Sequence, residues 1–217
     1  MKTRKTIYHL IVDKSGSMMD CVDSTINGFN EQVNSIKGKA LEFTEEDITM
    51  GLTTFNDNVN HLYYRQNPKE MVLLNYENYR PSGGTALLDA VGETISEIER
   101  QISTNLIATT VIVVILTDGY ENASKKYNLV NIRNMISKLE ETGKWTFSFI
   151  GATLDAVDVA ASMAIKSQNS FSFEKTQMKS AVWDNTARRR AGWLRPSHSR
   201  RHIRPVSGAC GSRERCR

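Results

Sequence analysis

Apolar and polar positions alternate along this chain in two distinct rhythms. Ile7 to Val12 is a short apolar run containing β-branched residues, which predicts a buried strand. From Val22 the apolar positions Ile26, Phe29, Val33 and Ile36 recur at intervals of three and four. That spacing predicts a helix with one buried face, with Gly38 as its stop. Asp47 to Phe55 alternates in part and predicts a strand; Asn56-Asp57-Asn58 is turn chemistry, and Val59 to Tyr64 is the return strand of an antiparallel hairpin at a sheet edge. Residues 67–82 are irregular, broken by Pro68 and Pro81. Thr85 is a candidate cap for the next helix, whose stripe is Leu87, Leu88, Val91, Ile95, Ile98 and Ile102.

Thr109 to Leu116 is continuously apolar, as a central parallel strand buried on both faces should be. Leu129, Ile132, Met135, Ile136 and Leu139 mark another helix, stopped near Gly143. Trp145 to Ile150 is a strand, Ala156 to Ile165 a short helix, Ser170 to Phe173 a last edge strand, and Lys175 to about Arg190 a final helix. Strands alternating with helices after one hairpin predict an α/β fold: a doubly wound, mostly parallel sheet with one antiparallel edge strand and helices on both faces. Ligands of such sheets bind beyond the carboxyl ends of the strands.

Charge changes the picture at one end. The chain is 217 residues long with a formal net charge of +4. Residues 184–217 hold ten arginines, no lysine, one Asp and one Glu, so this segment is +8 and residues 1–183 are −4. We therefore divide the chain into a domain over 1–183 and an Arg-rich tail over 184–217. No apolar run approaches the roughly 18 to 20 residues of a membrane span. The N-terminal apolar segment is cut at Asp13, too short for a signal peptide, so we expect a cytoplasmic protein without membrane contact. Cys21, Cys210 and Cys216 form no disulfide framework, and Asn122-Ala123-Ser124 is a glycosylation sequon without consequence in that compartment.

Candidate chemistry gathers at three strand-end loops. Asp13-Lys14-Ser15-Gly16-Ser17 places one carboxylate and two hydroxyls at alternate positions after the first strand. Pro81-Ser82-Gly83-Gly84-Thr85 offers a hydroxyl on a Gly-rich loop, and Thr117-Asp118-Gly119 a second carboxylate after the most apolar strand. These are hard oxygen donors suited to a hard divalent cation such as Mg²⁺. Each segment alone is ordinary turn chemistry; order and strand-end context together give them meaning. Asp89 either supports the site from behind or sits in a first helical turn favoured by the helix dipole.

The segments His9 to Met18, Gly83 to Ala90 and Leu116 to Gly119 resemble the metal-ion-dependent adhesion site of von Willebrand factor type A domains, here of the small stand-alone intracellular bacterial kind. The resemblance implies that Ser15, Ser17 and Thr85 ligate an ion through hydroxyls, with Asp13 and Asp118 holding coordinated waters or contacting it directly. It implies Mg²⁺ as the cofactor, with Mn²⁺ or Ca²⁺ possible, and a partner protein that presents an Asp or Glu to the metal. Such a site is a binding module and not an enzyme.

Two other readings compete. Asp13 after an apolar strand has the placement of a phosphohydrolase nucleophile, but Ser15 stands where the haloacid dehalogenase class has its general acid. His9 and His61 fall in no obvious cluster. The tail is a solvated segment, a non-native end, or a polyanion contact through Arg188, Arg189, Arg190, Arg200 and Arg201 that would make the protein a nucleic-acid adaptor. A zinc site from His198, His202, Cys210 and Cys216 fits poorly, because the cysteine spacing is too wide for the usual pair.

Overall fold

In a computed structural model, the structure describes residues 4–102, 109–118, 120–151 and 156–172. The expected final helix and the Arg-rich tail, with its five candidate polyanion-binding arginines, lie outside the described residues. The described chain runs β1 (Arg4–Asp13), α1 (Val22–Glu42), β2 (Glu46–Phe55), β3 (Val59–Gln66), α2 (Leu87–Ile102), β4 (Thr109–Thr117), α3 (Leu129–Glu141), β5 (Trp145–Gly151), α4 (Ala156–Ser162) and β6 (Ser170–Ser172). Short 3-10 turns cover Gly16–Cys21, Pro68–Glu70 and Ser167–Asn169.

The sheet has six strands in the order β3-β2-β1-β4-β5-β6. Every neighbouring pair is parallel except β2 with β3, the expected antiparallel edge. Strand pleat sorts the side chains into two cores. Ile7 and Ile11 of β1 and Val111, Val113 and Ile115 of β4 pack with α2 and α3 on one face. Tyr8, Leu10 and Val12, with Ile112, Val114 and Leu116, pack with Ile26, Phe29, Val33 and Ile36 of α1 on the other. The irregular segment after β3 straps this second core, burying Met71, Leu74 and Tyr79.

The chain leaves β1 for β2 on one side, then returns to β4 on the other side of β1. The strand order thus reverses between β1 and β4, the place where parallel sheets open a crevice for ligands. Register puts Val12 opposite Leu116 and Asp13 beside Phe55, so Asp13 and Thr117 emerge side by side at that point.

Two helix ends and one helix cap differ from the sequence reading. Helix α1 continues past Gly38 to Glu42, with Phe43 donating its backbone N–H to the Lys39 carbonyl. Gly38 faces open space, so its cost is only the roughly 1 kcal/mol of a helical glycine. Helix α4 stops at Ser162 where Ala164 takes a positive φ of 65°. The donors that open α2 do not need Thr85: Leu88 N–H goes to Glu121 Oε2 and Asp89 N–H to Ser124 Oγ.

Candidate functional site

At the end of β1, Asp13 is fully buried and its two carboxylate oxygens do different things. Oδ1 accepts the Ser15 backbone N–H at 2.6 Å, which folds the loop back over the strand end. Oδ2 accepts the Thr117 hydroxyl at 2.5 Å, which fixes β1 to β4. The two serine hydroxyls of the loop lie 3.1 Å apart, and Ser17 Oγ donates to Asp118 Oδ1 at 2.7 Å. Asp13, Ser15 and Asp118 are buried while Ser17 is exposed, so the cluster opens to solvent through Ser17.

The Gly-rich loop is sewn to the same rim by backbone. Gly16 N–H donates to the Gly83 carbonyl at 3.0 Å, and Ser82 N–H to the Lys14 carbonyl at 2.8 Å. Asn56, in the hairpin turn, donates its side-chain amide to the Ser82 carbonyl at 2.9 Å and accepts the Ala86 N–H on its own carbonyl at 2.8 Å. Gly83 has a φ of +79°, which a side chain would resist. Thr85 is buried behind it, its N–H on Asn122 Oδ1 at 2.8 Å and its carbonyl accepting the N–H groups of Asn122 and Ala123. Tyr79 reaches in from the strap and donates its hydroxyl to the Asp13 carbonyl at 2.6 Å.

Asp89 is not aimed at this cluster. Its carboxylate accepts the backbone N–H groups of Lys125, Lys126 and Tyr127 at 2.8–2.9 Å. Burial pushes its pKa up, but these three donors outweigh it and hold the group below its ordinary value. Glu121 makes the reciprocal contact, accepting Leu88 N–H from the helix and the N–H groups of Ala123 and Ser124 from its own loop. The loop after Asp118 and the start of α2 therefore clasp each other, and Thr85 and Asp118 are set by one structure. Glu121 and Tyr79 were not singled out from sequence, whereas Thr117 and Asn56 were named there only as parts of turns, and Asn122 and Ser124 only as a sequon.

The donor set fits a hard cation. It is all oxygen, with two carboxylates set among hydroxyls at a low-dielectric strand end. Burial raises the Asp13 pKa to about 6, against the hydrogen bonds from Thr117 and Ser15, and the nearby Asp118 charge raises it further. A bound cation would relieve both costs. Among the described residues no three His, Cys, Asp or Glu side chains converge as ligands, so hydroxyls would have to complete the shell.

Contrary to the sequence reading, the two strand histidines do cluster. His9 Nε2 and His61 Nδ1 both meet Thr53 Oγ1, at 2.8 and 3.0 Å, and Thr94 Oγ1 donates to the same oxygen at 3.1 Å. His61 Nε2 then lies 3.4 Å from Glu93 Oε2, and Glu93 Oε1 accepts from Lys126 Nζ at 2.7 Å. Gly51, opposite His9 in β2, makes room for the imidazole: a Cβ there would come within 2.2 Å of His9 Nδ1. His9, Thr53 and Thr94 are buried between the sheet and α2, and the cluster runs outward through the partly exposed His61 and Glu93.

A profile of the von Willebrand factor type A domain matches residues 9–185. No match was found among curated proteins. Among solved structures, the vWF domain of the type V pili tip protein Mfa5 from Porphyromonas gingivalis superposes with a TM-score of 0.61 at 11% identity, over 90% of this chain and 98% of that one. Proximal thread matrix protein 1 from the mussel byssus, in a structure with a zinc-occupied metal-ion-dependent adhesion motif, gives 0.55 at 15% identity over 85% of this chain and 45% of that one. A von Willebrand factor type A protein from Catenulispora acidiphila gives 0.51 at 14% identity over 84% and 42%. At these identities the likeness is one of fold, and this chain spans less than half the length of the latter two proteins.

Proposed function

Because the chain belongs to the von Willebrand factor type A domain family, commonly a metal-dependent protein-interaction module, we propose that its strand-end cluster holds a divalent cation that recruits a carboxylate from a partner protein. The observation that carries this is the convergence of Asp13, Ser15, Ser17 and Asp118 at the β1/β4 reversal, buried at Asp13 and open at Ser17. Ser15, Ser17 and Thr85 supply neutral hydroxyls, and Asp13 and Asp118 supply charge. A cation with few anionic ligands of its own stays electron-poor and takes a further carboxylate from outside. All-oxygen donors favour Mg²⁺, with Mn²⁺ or Ca²⁺ as substitutes; the mussel neighbour's zinc is the softer alternative.

Binding rather than turnover is the reading Asp13 supports. Both its oxygens are engaged with Thr117 and Ser15 and it is buried, which suits a fixed charge behind an ion better than a nucleophile that must reach a phosphoester. Sparse cysteine without a framework supports a cytoplasmic setting. Among the described residues, no helix is long and apolar enough to cross a membrane.

The test is thermal unfolding of the full chain in Mg²⁺ against EDTA, wild type beside Ser17→Ala. Ser17 is the cleaner substitution, because Asp13→Ala would also free the Ser15 amide and the Thr117 hydroxyl. An ion supplied at ten times its Kd should add about 1.4 kcal/mol and raise the midpoint by about 3 to 6 °C. A rise in wild type and none in Ser17→Ala supports the reading. Equal rises in both place the ion elsewhere, and no rise in either removes the metal from the mechanism.

A further inference from the structure

Beside the proposed metal site, a cavity of about 230 Å³ opens between the start of α2, the loop after β4, and α4. Its walls are Leu87, Leu88, Leu129, Val159 and Met163, with Tyr120 at its edge. Tyr120 follows Asp118 by two residues and Leu87 follows Thr85 by two, so the cavity grows out of the same two loops that carry the candidate ligands. Tyr120 is 55% exposed and Leu129 41%, so two large apolar side chains of the lining also face solvent.

Among the described residues, the polar side chains of the lining besides Tyr120 at the edge are Glu121 and Ser162, and both are hydrogen-bonded. Glu121 spends its carboxylate on the N–H groups of Leu88, Ala123 and Ser124 and on the Ser124 hydroxyl. Ser162 donates its hydroxyl to the Val159 carbonyl at 2.6 Å. The Glu121 carboxylate is thus filled by its own donors, and the mostly apolar lining returns little to a polar occupant for its lost hydration. A dry cavity of about 150 Å³ already holds a benzene ring, and this one is large enough for a leucine, methionine or phenylalanine side chain. The loops after β1 and β4 that carry the candidate ligands each also carry a lysine, Lys14 next to Asp13 and the exposed Lys125 on the loop of Tyr120 and Glu121. They complement an acidic segment lying across the rim.

We infer that this cavity is the second anchor of the partner, taking a large apolar side chain close in sequence to the acidic residue that reaches the metal. The inference rests on the metal-bridge reading for the acidic half of the motif. The partner segment is then an acidic residue followed within a few residues by a Leu, Met or Phe, held by a cation at one end and by hydrophobic burial at the other. The metal supplies a condition for binding, and the cavity supplies discrimination among acidic segments.

The probes are acetylated, amidated peptides Gly-Glu-(Gly)n-Leu-Gly with zero to three spacer glycines. Each is paired with a Leu-to-Ala and a Glu-to-Gln version and titrated by NMR into the Mg²⁺-loaded full chain. At the best spacing, the leucine peptide should bind about tenfold or more tightly than its alanine version. It should also shift the methyl signals of Leu87, Val159 and Met163. Ser162→Phe fills the cavity from its own wall, and Leu129→Glu puts a charge at its mouth. Both should erase the leucine preference while leaving the alanine peptide and Mg²⁺ binding unchanged. A preference for Glu over Gln without one for Leu over Ala at any spacing overturns the inference alone. A preference for Leu that survives EDTA and ignores Glu-to-Gln leaves the cavity standing and removes the metal bridge. Self-association that Ser162→Phe abolishes would assign the cavity to a second copy and overturn the inference.

Discussion

Asp89→Ala is expected to lower the unfolding free energy by about 3 kcal/mol, counting about 1 kcal/mol for each of the three backbone N–H groups it leaves behind. In a domain of this size that is a fall in midpoint of about 6 to 12 °C. The amides of Lys125, Lys126 and Tyr127 sit in a loop whose direction is set by this carboxylate and by the reciprocal hold of Glu121 on α2. Losing the clasp frees the segment directly behind Asp118, so Mg²⁺ affinity should fall along with stability. Asp89→Asn separates the two oxygens. Oδ1 accepts two of the amides and Oδ2 one, so an asparagine oriented to keep Oδ1 should lose only about a third to a half of the effect. Chemical denaturation of the three proteins, with and without Mg²⁺, reads both consequences. An Asp89→Ala midpoint within about 2 °C of wild type would mean that water replaces the carboxylate at no cost and that the clasp does not hold the loop.

What could be read from the sequence follows from what writes itself as a period or a position. The strands β1 and β4 were legible because burial on both faces demands continuous apolar residues, and the α2 stripe because one buried face demands a repeat of three and four. Asp13 and Asp118 were legible for a related reason: a parallel sheet puts its carboxyl ends on one rim, and chain order places the reversal between β1 and β4. Gly38 misled because a glycine on an exposed helix face costs little, and nothing in sequence says which face it occupies. Leu129 misled in the opposite way. It matches the α3 stripe, yet as the first residue of that helix it stands at the mouth of the cavity and not in the core.

The supports of the site were illegible because their contacts have no period. Glu121 reaches Leu88 across 33 positions, and Asn122 reaches Thr85 across 37. These pairings depend on where two loops happen to lie after the sheet is built. Asp89 shows the difference most clearly. Its place in a first helical turn was readable, and its three partners in another loop were not.

His9 should contribute an acid-labile term to the stability, over a range where most carboxylates are still ionised. The proton count of its cluster assigns the tautomers. Thr53 Oγ1 accepts from Thr94 and has one proton to give. If it gives that proton to His61 Nδ1, then His9 Nε2–H donates to Thr53 and His61 Nε2–H points to Glu93. Every donor in the chain is then used, and the one atom without a partner is the His9 Nδ1 lone pair. Protonation must occur at that atom, against the Gly51 backbone and with no acceptor to receive it. Burial first, and the neighbouring His61 second, therefore lower the His9 pKa to about 3. The folded value lies below the unfolded value, so the stability is fully present above about pH 6.5 and is lost as pH falls towards about 3. The slope is about 1.4 kcal/mol per pH unit, or about 3 kcal/mol by pH 4.5. Asp13, raised to about 6 in the metal-free protein, works the other way, gaining stability as pH falls from 6 towards its ordinary value. The two effects oppose each other in one pH window, so wild type alone would show little net slope. His9→Gln exposes the term: a glutamine amide can still donate to Thr53, but it takes up no proton. The difference in unfolding free energy between wild type and His9→Gln, measured in EDTA from pH 7 to 4.5, should shift by about 3 kcal/mol in favour of the variant. A difference that stays constant across that range would mean that His9 admits its proton in the folded state and that the Thr53 relay is not the neutral core described above.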